Sequence, residues 1–208
     1  MAYDKLTIYN NALVSYLGEG ALSGLAEKRG PRFLLDGVWD QDPIKYALEQ
    51  GEWGFAISSV KMVADPGIEP PFGFRYAFEK PADWRRMAAL CYDEYFKTNC
   101  NDYSEEGNFI YANTDVLYAR FVSDDDTLGR DYSKWTASFF EYLCAFMAWK
   151  IVHRVKNSRA SRDELSGMMQ KLLIEARGFN ALSRPAAFMQ RGSWARARGG
   201  LTPNNTRR

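Results

Sequence analysis

The first residues of the chain carry apolar side chains at helical spacing. They recur every three or four positions, as Leu6, Tyr9, Leu13 and Leu17. This period predicts one amphipathic helix over about 5–17. Asp4 is the predicted N-cap, because its short carboxylate can accept hydrogen bonds from the free N–H groups of the first turn. Gly18 is the predicted end of the helix.

A second helical region is predicted over about 31–51. Pro31 suits a first helical turn, and the apolar positions after it keep the helical spacing: Phe33, Leu34, Val38 and Trp39. Pro43 either kinks this helix or opens a second one, because proline lacks the N–H that a helix interior requires. Gly51 is the predicted stop.

From Trp53 onward the pattern changes from helical spacing to alternation. Together with strand-forming residues further along, it predicts a small antiparallel sheet in the middle third of the chain. The predicted segments are a strand at 55–60, an extended segment at 74–78, a helical turn at 81–85, and a hairpin of 109–112 with 115–123 around Asn113 and Thr114.

Helical spacing returns at about 134–157. This segment is apolar on most sides, so we expect it to lie centrally in a helical bundle. Ser161 and Glu164 have the spacing of a capping box and predict the start of a last helix that ends at about 182. Beyond Pro185, glycine and proline break the regular pattern and predict an extended tail.

These elements predict an α+β protein. Helices from both ends of the chain would form one bundle, with a small antiparallel β-domain inserted between them. The predicted divisions are helices at 1–52, the β-domain at 53–133, helices at 134–183 and an extended C-terminal tail at 184–208.

Composition is that of a globular protein and excludes several classes. The chain has 208 residues, of which 46% are hydrophobic and 25% charged, close to ordinary globular usage. The longest stretch without a charge is 6–18, shorter than the roughly 18 residues that a membrane-spanning helix requires, so we expect no membrane partner. Three cysteines without close pairing indicate synthesis in a reducing cytoplasm and thiols that act as small apolar fillers.

Charge divides the chain into an acidic body and a basic end. Residues 1–149 hold 14 Lys and Arg against 23 Asp and Glu, whereas residues 150–208 hold 13 against 3. The resulting balances of −9 and +10 favour different partners at the two ends. Aromatic residues, which protein interfaces favour, make up 15% of the chain.

The residues that usually carry chemistry form no recognisable site. The only histidine, His153, has no nucleophile or acid tied to it by a motif, and we expect a partly exposed helical side chain. A zinc site would need all three cysteines with His153 and lacks paired spacing. The run from Asp124 fails the calcium-loop template, since Leu128 and Trp135 stand at ligand positions, and a solvated loop capping the long helix explains it better. We therefore expect no enzyme, metal or cofactor.

The basic tail leaves three interpretations open. It interleaves arginines with Trp194 on a glycine-rich backbone over 191–200. As a nucleic-acid arm, its arginines would contact phosphates. As a docking peptide, Trp194 would fill a pocket of a partner and the arginines would bond carboxylates. A disordered solubilising tail is the third possibility, although such a tail has no need of a tryptophan.

Four stretches, in order along the chain, carry a family resemblance. They are LDGVW (35–39) with ALE (47–49) and WGFA (53–56), PFGFRYAF (71–78) with PADWR (81–85), YARFVSD (118–124) leading to Trp135 and Phe139, and RGSWARAR (191–198). Together they resemble the tail tubular protein A family, the head-to-tail adaptors of short-tailed phages. The likeness covers almost the whole chain, and Gly54 departs from it where the family often has Asn.

The resemblance implies a structural virion protein. Such adaptors form a ring, a homo-oligomer of twelve subunits, which joins the portal protein to the tail nozzle, tail tubular protein B, and often to the tail fibres. Their C-terminal tail reaches into the portal. The resemblance therefore implies portal binding by Arg184, Arg191, Ser193, Trp194, Arg196 and Arg198.

The ring of such an adaptor also forms part of the channel for genomic DNA. A negative lumen repels phosphates, so DNA slides through it, and Asp124, Asp125 and Asp126 are the lumen candidates. The implied location is the head–tail interface of the virion, after synthesis in the host cytoplasm. The alternative is a small nucleic-acid-binding accessory protein that uses the basic C-terminal region.

Overall fold

The helices and strands of the computed structural model form a mixed α+β fold, as predicted. The structure describes residues 3–183. Its helices are α1 Lys5–Asn11, α2 Gly30–Trp39, α3 Pro43–Glu49, α4 Ala137–Lys156 and α5 Arg159–Leu182. Its strands are β1 Ile57–Val63, β2 Tyr76–Glu79, β3 Trp84–Cys91, β4 Tyr103–Glu106, β5 Phe109–Ala112 and β6 Val116–Ser123.

The first helix begins at its predicted cap. The Asp4 carboxylate accepts a hydrogen bond from Thr7 N–H at 2.7 Å, and α1 continues as a π-helical segment, Ala12–Tyr16. Pro43 opens α3 rather than kinking α2, which decides between the two possibilities at this proline. Asp42 caps α3 from the left-handed region, at φ 54°.

Helix α4 is the centre of the helical core. Thr136 caps its first turn, and most of its side chains, from Phe139 to Val152, are buried. The predicted capping box of the last helix is wrong. Ser158 is the N-cap of α5 and accepts a hydrogen bond from Ser161 N–H. The helix starts earlier than predicted, because the chain reverses at the left-handed residue Asn157 and α5 begins at Arg159.

The strands form two three-stranded antiparallel sheets, in the orders β1-β6-β3 and β2-β5-β4. The predicted hairpin of 109–112 with 115–123 is wrong, because β5 and β6 lie in different sheets. The turn at Asn113 and Thr114 passes the chain from one sheet to the other. The hairpin that does form joins β4 to β5 through Gly107, whose φ of 55° suits a tight turn.

The beginnings of β1 and β3 differ from the predicted elements. The residues before β1 form one 3-10 turn, Gly54–Ala56, so the strand starts at Ile57 rather than at 55. The predicted helical turn at 81–85 is a single turn closed by Trp84 N–H on the Pro81 carbonyl. Trp84 already belongs to β3 and stacks on Phe121 of β6, with 4.5 Å between ring centroids.

Two clusters of buried side chains hold the molecule together. The first joins the helices from both ends of the chain around Trp53 and Phe139. The second joins both sheets around Phe78, Ile110 and Phe121. Within residues 3–183, every strand lies inside the predicted insertion 53–133 and every α-helix lies outside it.

Candidate protein–protein interface

The predicted portal-binding residues lie outside the described part of the chain. These are Arg184, Arg191, Ser193, Trp194, Arg196 and Arg198. The structure does describe the helix from which this segment continues, because α5 ends at Leu182. The C-terminal end of α5 is therefore the described feature that bears on the predicted docking tail.

Helices α4 and α5 form an antiparallel pair. Only Asn157 and Ser158 separate them, and Asn157 adopts the left-handed conformation that reverses the chain, at φ 47°. Leu165 and Ala176 are the buried residues of α5. The end of α5 consequently lies beside the beginning of α4.

Two polar side chains fix this end of α5 to the loop before β1. Arg177 donates hydrogen bonds from its guanidinium group to the Gln50 carbonyl. Asn180 Nδ2 donates to the Glu52 carbonyl at 2.6 Å, and Gly54 N–H donates to Asn180 Oδ1 at the same distance. The point at which the tail leaves the body is thus held by contacts with the backbone.

The loop itself is shaped by a buried tryptophan. Trp53 is almost completely buried, and its indole N–H donates to the Ala47 carbonyl at 3.0 Å. A Cβ atom at Gly51 would lie 2.9 Å from the Trp53 ring. Glycine at position 51 therefore allows the chain to pass the indole closely and to present its carbonyls to α5.

Helix α5 exposes several apolar side chains: Met168, Ile174, Phe179 and Leu182. Ile174 is 68% exposed and Leu182 is 87% exposed. Phe179 and Leu182 lie three residues apart and therefore on neighbouring positions of the last turns of the helix. Exposed apolar side chains that adjoin one another can mark an interaction surface, so this end of α5 is a candidate contact surface.

The opposite end of α5 is basic. Around the turn between α4 and α5, His153, Arg154, Lys156 and Arg159 are exposed. His153 is an exposed helical residue, close to the partly exposed one expected from the sequence. Cations in the last turn of α4 also interact favourably with the negative end of the helix dipole.

The three lumen candidates do not share one environment. Asp125 and Asp126 are exposed, whereas Asp124 is only 8% exposed. The Asp124 carboxylate lies 2.7 Å from Arg85 Nε and 3.2 Å from Arg130 Nη2. The solvated loop predicted for this run is therefore wrong for Asp124, and Thr136 rather than an aspartate caps α4.

Arg130 extends this cluster to the helical body. Its guanidinium group bonds the Asp42 carboxylate, so one side chain joins the loop after β6 to the N-cap of α3. Burial acts to raise the pKa of Asp42, but hydrogen bonds from Arg130 and from Lys45 N–H outweigh it, and the net pKa is lowered. The hydrogen bond to Asp42 raises the pKa of Arg130. This cluster holds the sheets against the helices.

The remaining reactive side chains are buried or isolated. Cys91, Cys100 and Cys144 are buried free thiols, and burial raises the pKa of Cys144 well above its ordinary value. Among residues 3–183, no group of three or more His, Cys, Asp or Glu residues is placed to hold a metal ion. In the same range no helix combines the length and apolarity needed to cross a membrane.

No protein-family model matches the chain, and no curated protein matches it.

The contacts of Arg177 and Asn180 with the loop before β1 were not predicted from the sequence. The available signal was Asn180 itself, which follows the buried Ala176 by four residues and so lies on the inner stripe of α5.

Proposed function

We propose that this protein is a structural subunit of a phage virion. It would form the head-to-tail adaptor ring, a homo-oligomer of twelve subunits that joins the portal to the tail nozzle and surrounds part of the DNA channel. The observation that carries this proposal is the order of the four resembling stretches, which spans both the helices and the inserted strands. Tail fibres would be further partners on the outside of the ring.

The arrangement of the core supports the proposal. Helices from both ends of the chain share one apolar core, and the two sheets project from it as an inserted unit with a core of its own. A ring subunit needs contacts on two flanks as well as above and below. Two clusters of buried side chains, one among the helices and one between the sheets, leave the outer surfaces of both free for such contacts.

The end of α5 supports portal docking by the tail. Arg177 and Asn180 hold this end to the body, so residues 184–208 would start from a defined point. Exposed Phe179 and Leu182 adjoin this point and offer a second contact area. The proposed portal contacts are Trp194 as aromatic anchor and Arg191, Arg196 and Arg198 as bidentate partners for carboxylates.

The channel proposal now rests on two aspartates. Asp125 and Asp126 are exposed and remain lumen candidates, whereas the Asp124 carboxylate is engaged by Arg85 and Arg130. An acidic surface toward the lumen would repel DNA phosphates and let the genome pass. The proposed role of the ring is structural, so we propose no catalytic activity and no cofactor.

The test is ring formation on portals. The purified protein is mixed with its cognate portal and examined by negative-stain imaging and mass photometry. We expect the full chain to add a ring, and we expect Trp194→Ala, Arg196→Ala with Arg198→Ala, and a chain truncated before Arg184 to add none. Arg207→Ala with Arg208→Ala is the matched control and should still bind. Failure of the full chain to bind portals would rule the adaptor out.

A basic surface on the described residues favours one second candidate, a nucleic-acid-binding accessory protein. Exposed cations surround the turn between α4 and α5, and Arg162 lies over the Trp149 ring with 5.4 Å to its centroid. Arginine paired with an aromatic ring is a common surface for nucleic acids. In this case the basic turn, together with residues 184–208, would contact phosphates.

Salt dependence separates the two candidates. A protein that neutralises several phosphates loses DNA affinity with a log–log slope of about −0.9 per contact. Two results together would establish the accessory protein. The full chain would retard DNA with such a slope, and Arg154→Glu with Arg159→Glu would abolish this binding. The full chain would also fail to bind portals. A full chain that binds portals and shows no slope of this kind establishes the adaptor.

A further inference from the structure

An open cleft lies where β1 ends, at the opposite end of this strand from the loop that holds α5. It has a volume of about 610 Å³ and is formed by the end of β1, the loop after it and the start of β2. Apolar groups make up much of its wall, among them Val63, Ile68, Pro70 and Tyr76. Val63 is 65% exposed, so the apolar wall is open to solvent and can receive an apolar side chain.

The cleft is preformed by hydrogen bonds of its own loop. Asp65 Oδ1 accepts from Gly67 N–H at 2.8 Å, and Asp65 N–H donates to the Ala77 carbonyl at the same distance. On the other side, Ala64 N–H donates to the Asp115 carbonyl at 3.0 Å. A pocket held open in this way binds a ligand without the entropy cost of first ordering the loop.

The charges around the cleft select the kind of ligand. Asp65, Glu69 and Asp115 line it, and Arg75 is the one basic lining residue. Both Glu69 and Asp115 are exposed at its edge. Apolar walls with an acidic rim fit a peptide that carries an aromatic side chain flanked by cations, since the ring is buried while guanidinium groups bond the carboxylates.

Residues 184–208 have this composition. They contain six arginines, no acidic residue and one tryptophan, Trp194, which lies between Arg191 and Arg196. Length also permits the contact. The cleft lies about 20 Å along β1 from the loop that holds the end of α5, whereas the eleven residues from 184 to 194 extend up to about 36 Å.

We propose that the cleft binds residues 184–208 of the same chain, with Trp194 against its apolar wall and neighbouring arginines on Glu69 and Asp115. The inference rests on the opposite charges of the cleft and the tail and on the length of the tail. It does not depend on which external partner the tail binds. If the tail also binds a portal, the cleft and the portal compete for Trp194. The free subunit would then keep its docking segment covered until a partner displaces it.

Photo-cross-linking of the full chain tests this placement. Trp194 is replaced by p-benzoylphenylalanine, and the sites that react on irradiation are mapped by mass spectrometry. We expect most cross-links in 63–76 and 115–116. Irradiation of mixed ¹⁵N-labelled and unlabelled chains should give cross-links within single chains only. Cross-links concentrated elsewhere, spread evenly over the surface, or formed between chains would overturn the proposal.

Charge reversal supplies the matched control. Glu69→Lys with Asp115→Lys should lose most cross-links in the cleft, whereas Glu94→Lys with Glu106→Lys makes the same charge change on other exposed residues and should keep them. About 1 M salt should also weaken the contact in the chain that keeps both acids, since it shortens the screening length to about 3 Å. Cross-links that survive both treatments would show that the acidic rim does not hold the tail.

Discussion

At the scale of single residues, the ion pair of Asp42 with Arg130 makes stability depend on pH. The folded-state pKa of Asp42 lies below its ordinary value of 3.8. Its contribution is therefore complete above about pH 5 and is lost as the pH falls through the folded pKa. We expect Asp42→Asn to flatten the acid limb of the unfolding free energy in urea titrations from pH 2 to 7.

Asparagine is the suitable replacement for Asp42. It retains the N-cap function and tolerates the left-handed backbone at this position, so the change isolates the charge. Asp126→Asn on the exposed loop is the control. If both variants lose stability in acid as steeply as the natural chain does, Asp42 does not contribute to its acid sensitivity.

Asn180 fixes the end of α5 to the loop before β1. Asn180→Ala removes its two hydrogen bonds to the loop before β1. Because both hydrogen bonds between this side chain and the loop backbone would be lost, we expect the unfolding free energy to fall by about 1 to 2 kcal/mol. Urea denaturation measures the change, with exposed Gln170→Ala on the same helix as control. Equal values for both variants would mean that the anchor is energetically neutral.

At the scale of elements, α5 contains glycines that weaken it. Nothing lies within 4 Å of a Cβ atom built at Gly167, so Gly167→Ala should raise the unfolding free energy by about 0.5 to 1 kcal/mol. Gly107→Ala should lower it instead, because Gly107 has a φ of 55° in the turn between β4 and β5. Thermal unfolding distinguishes the two signs. A loss on Gly167→Ala would show that this helix position is not free.

The bounds of two strands could be predicted from the sequence, but their pairing could not. The segments of β5 and β6 were predicted at nearly their true bounds, because alternation and branched side chains are local properties. Their pairing was predicted wrongly, since β6 instead pairs with β1 and β3, which lie far away along the chain. Strand β3 was missed because Arg85 and Arg86 interrupt its apolar pattern.

At the scale of the whole molecule, we predict ring assembly only with a partner. We expect the isolated protein to be a monomer or a weak oligomer, because the proposed docking contacts of residues 184–208 are made with the portal and do not support the ring until a portal is present. Rings should appear when portals are added. Mass photometry measures both states, and closed rings of the free protein at low salt would contradict this expectation.

The sequence by itself determined the class of fold, the placement of the strands between two sets of helices and the chemical character of the tail. Helical spacing, alternation, caps and charge are short-range properties that can be read from neighbouring residues. Only the tertiary structure decided which strands share a sheet, that Asp124 is buried between Arg85 and Arg130, that Asn180 anchors the end of α5, and that a cleft opens beyond β1. All four features depend on residues that are distant in sequence. These residues become neighbours only when the chain folds to bury its two apolar cores.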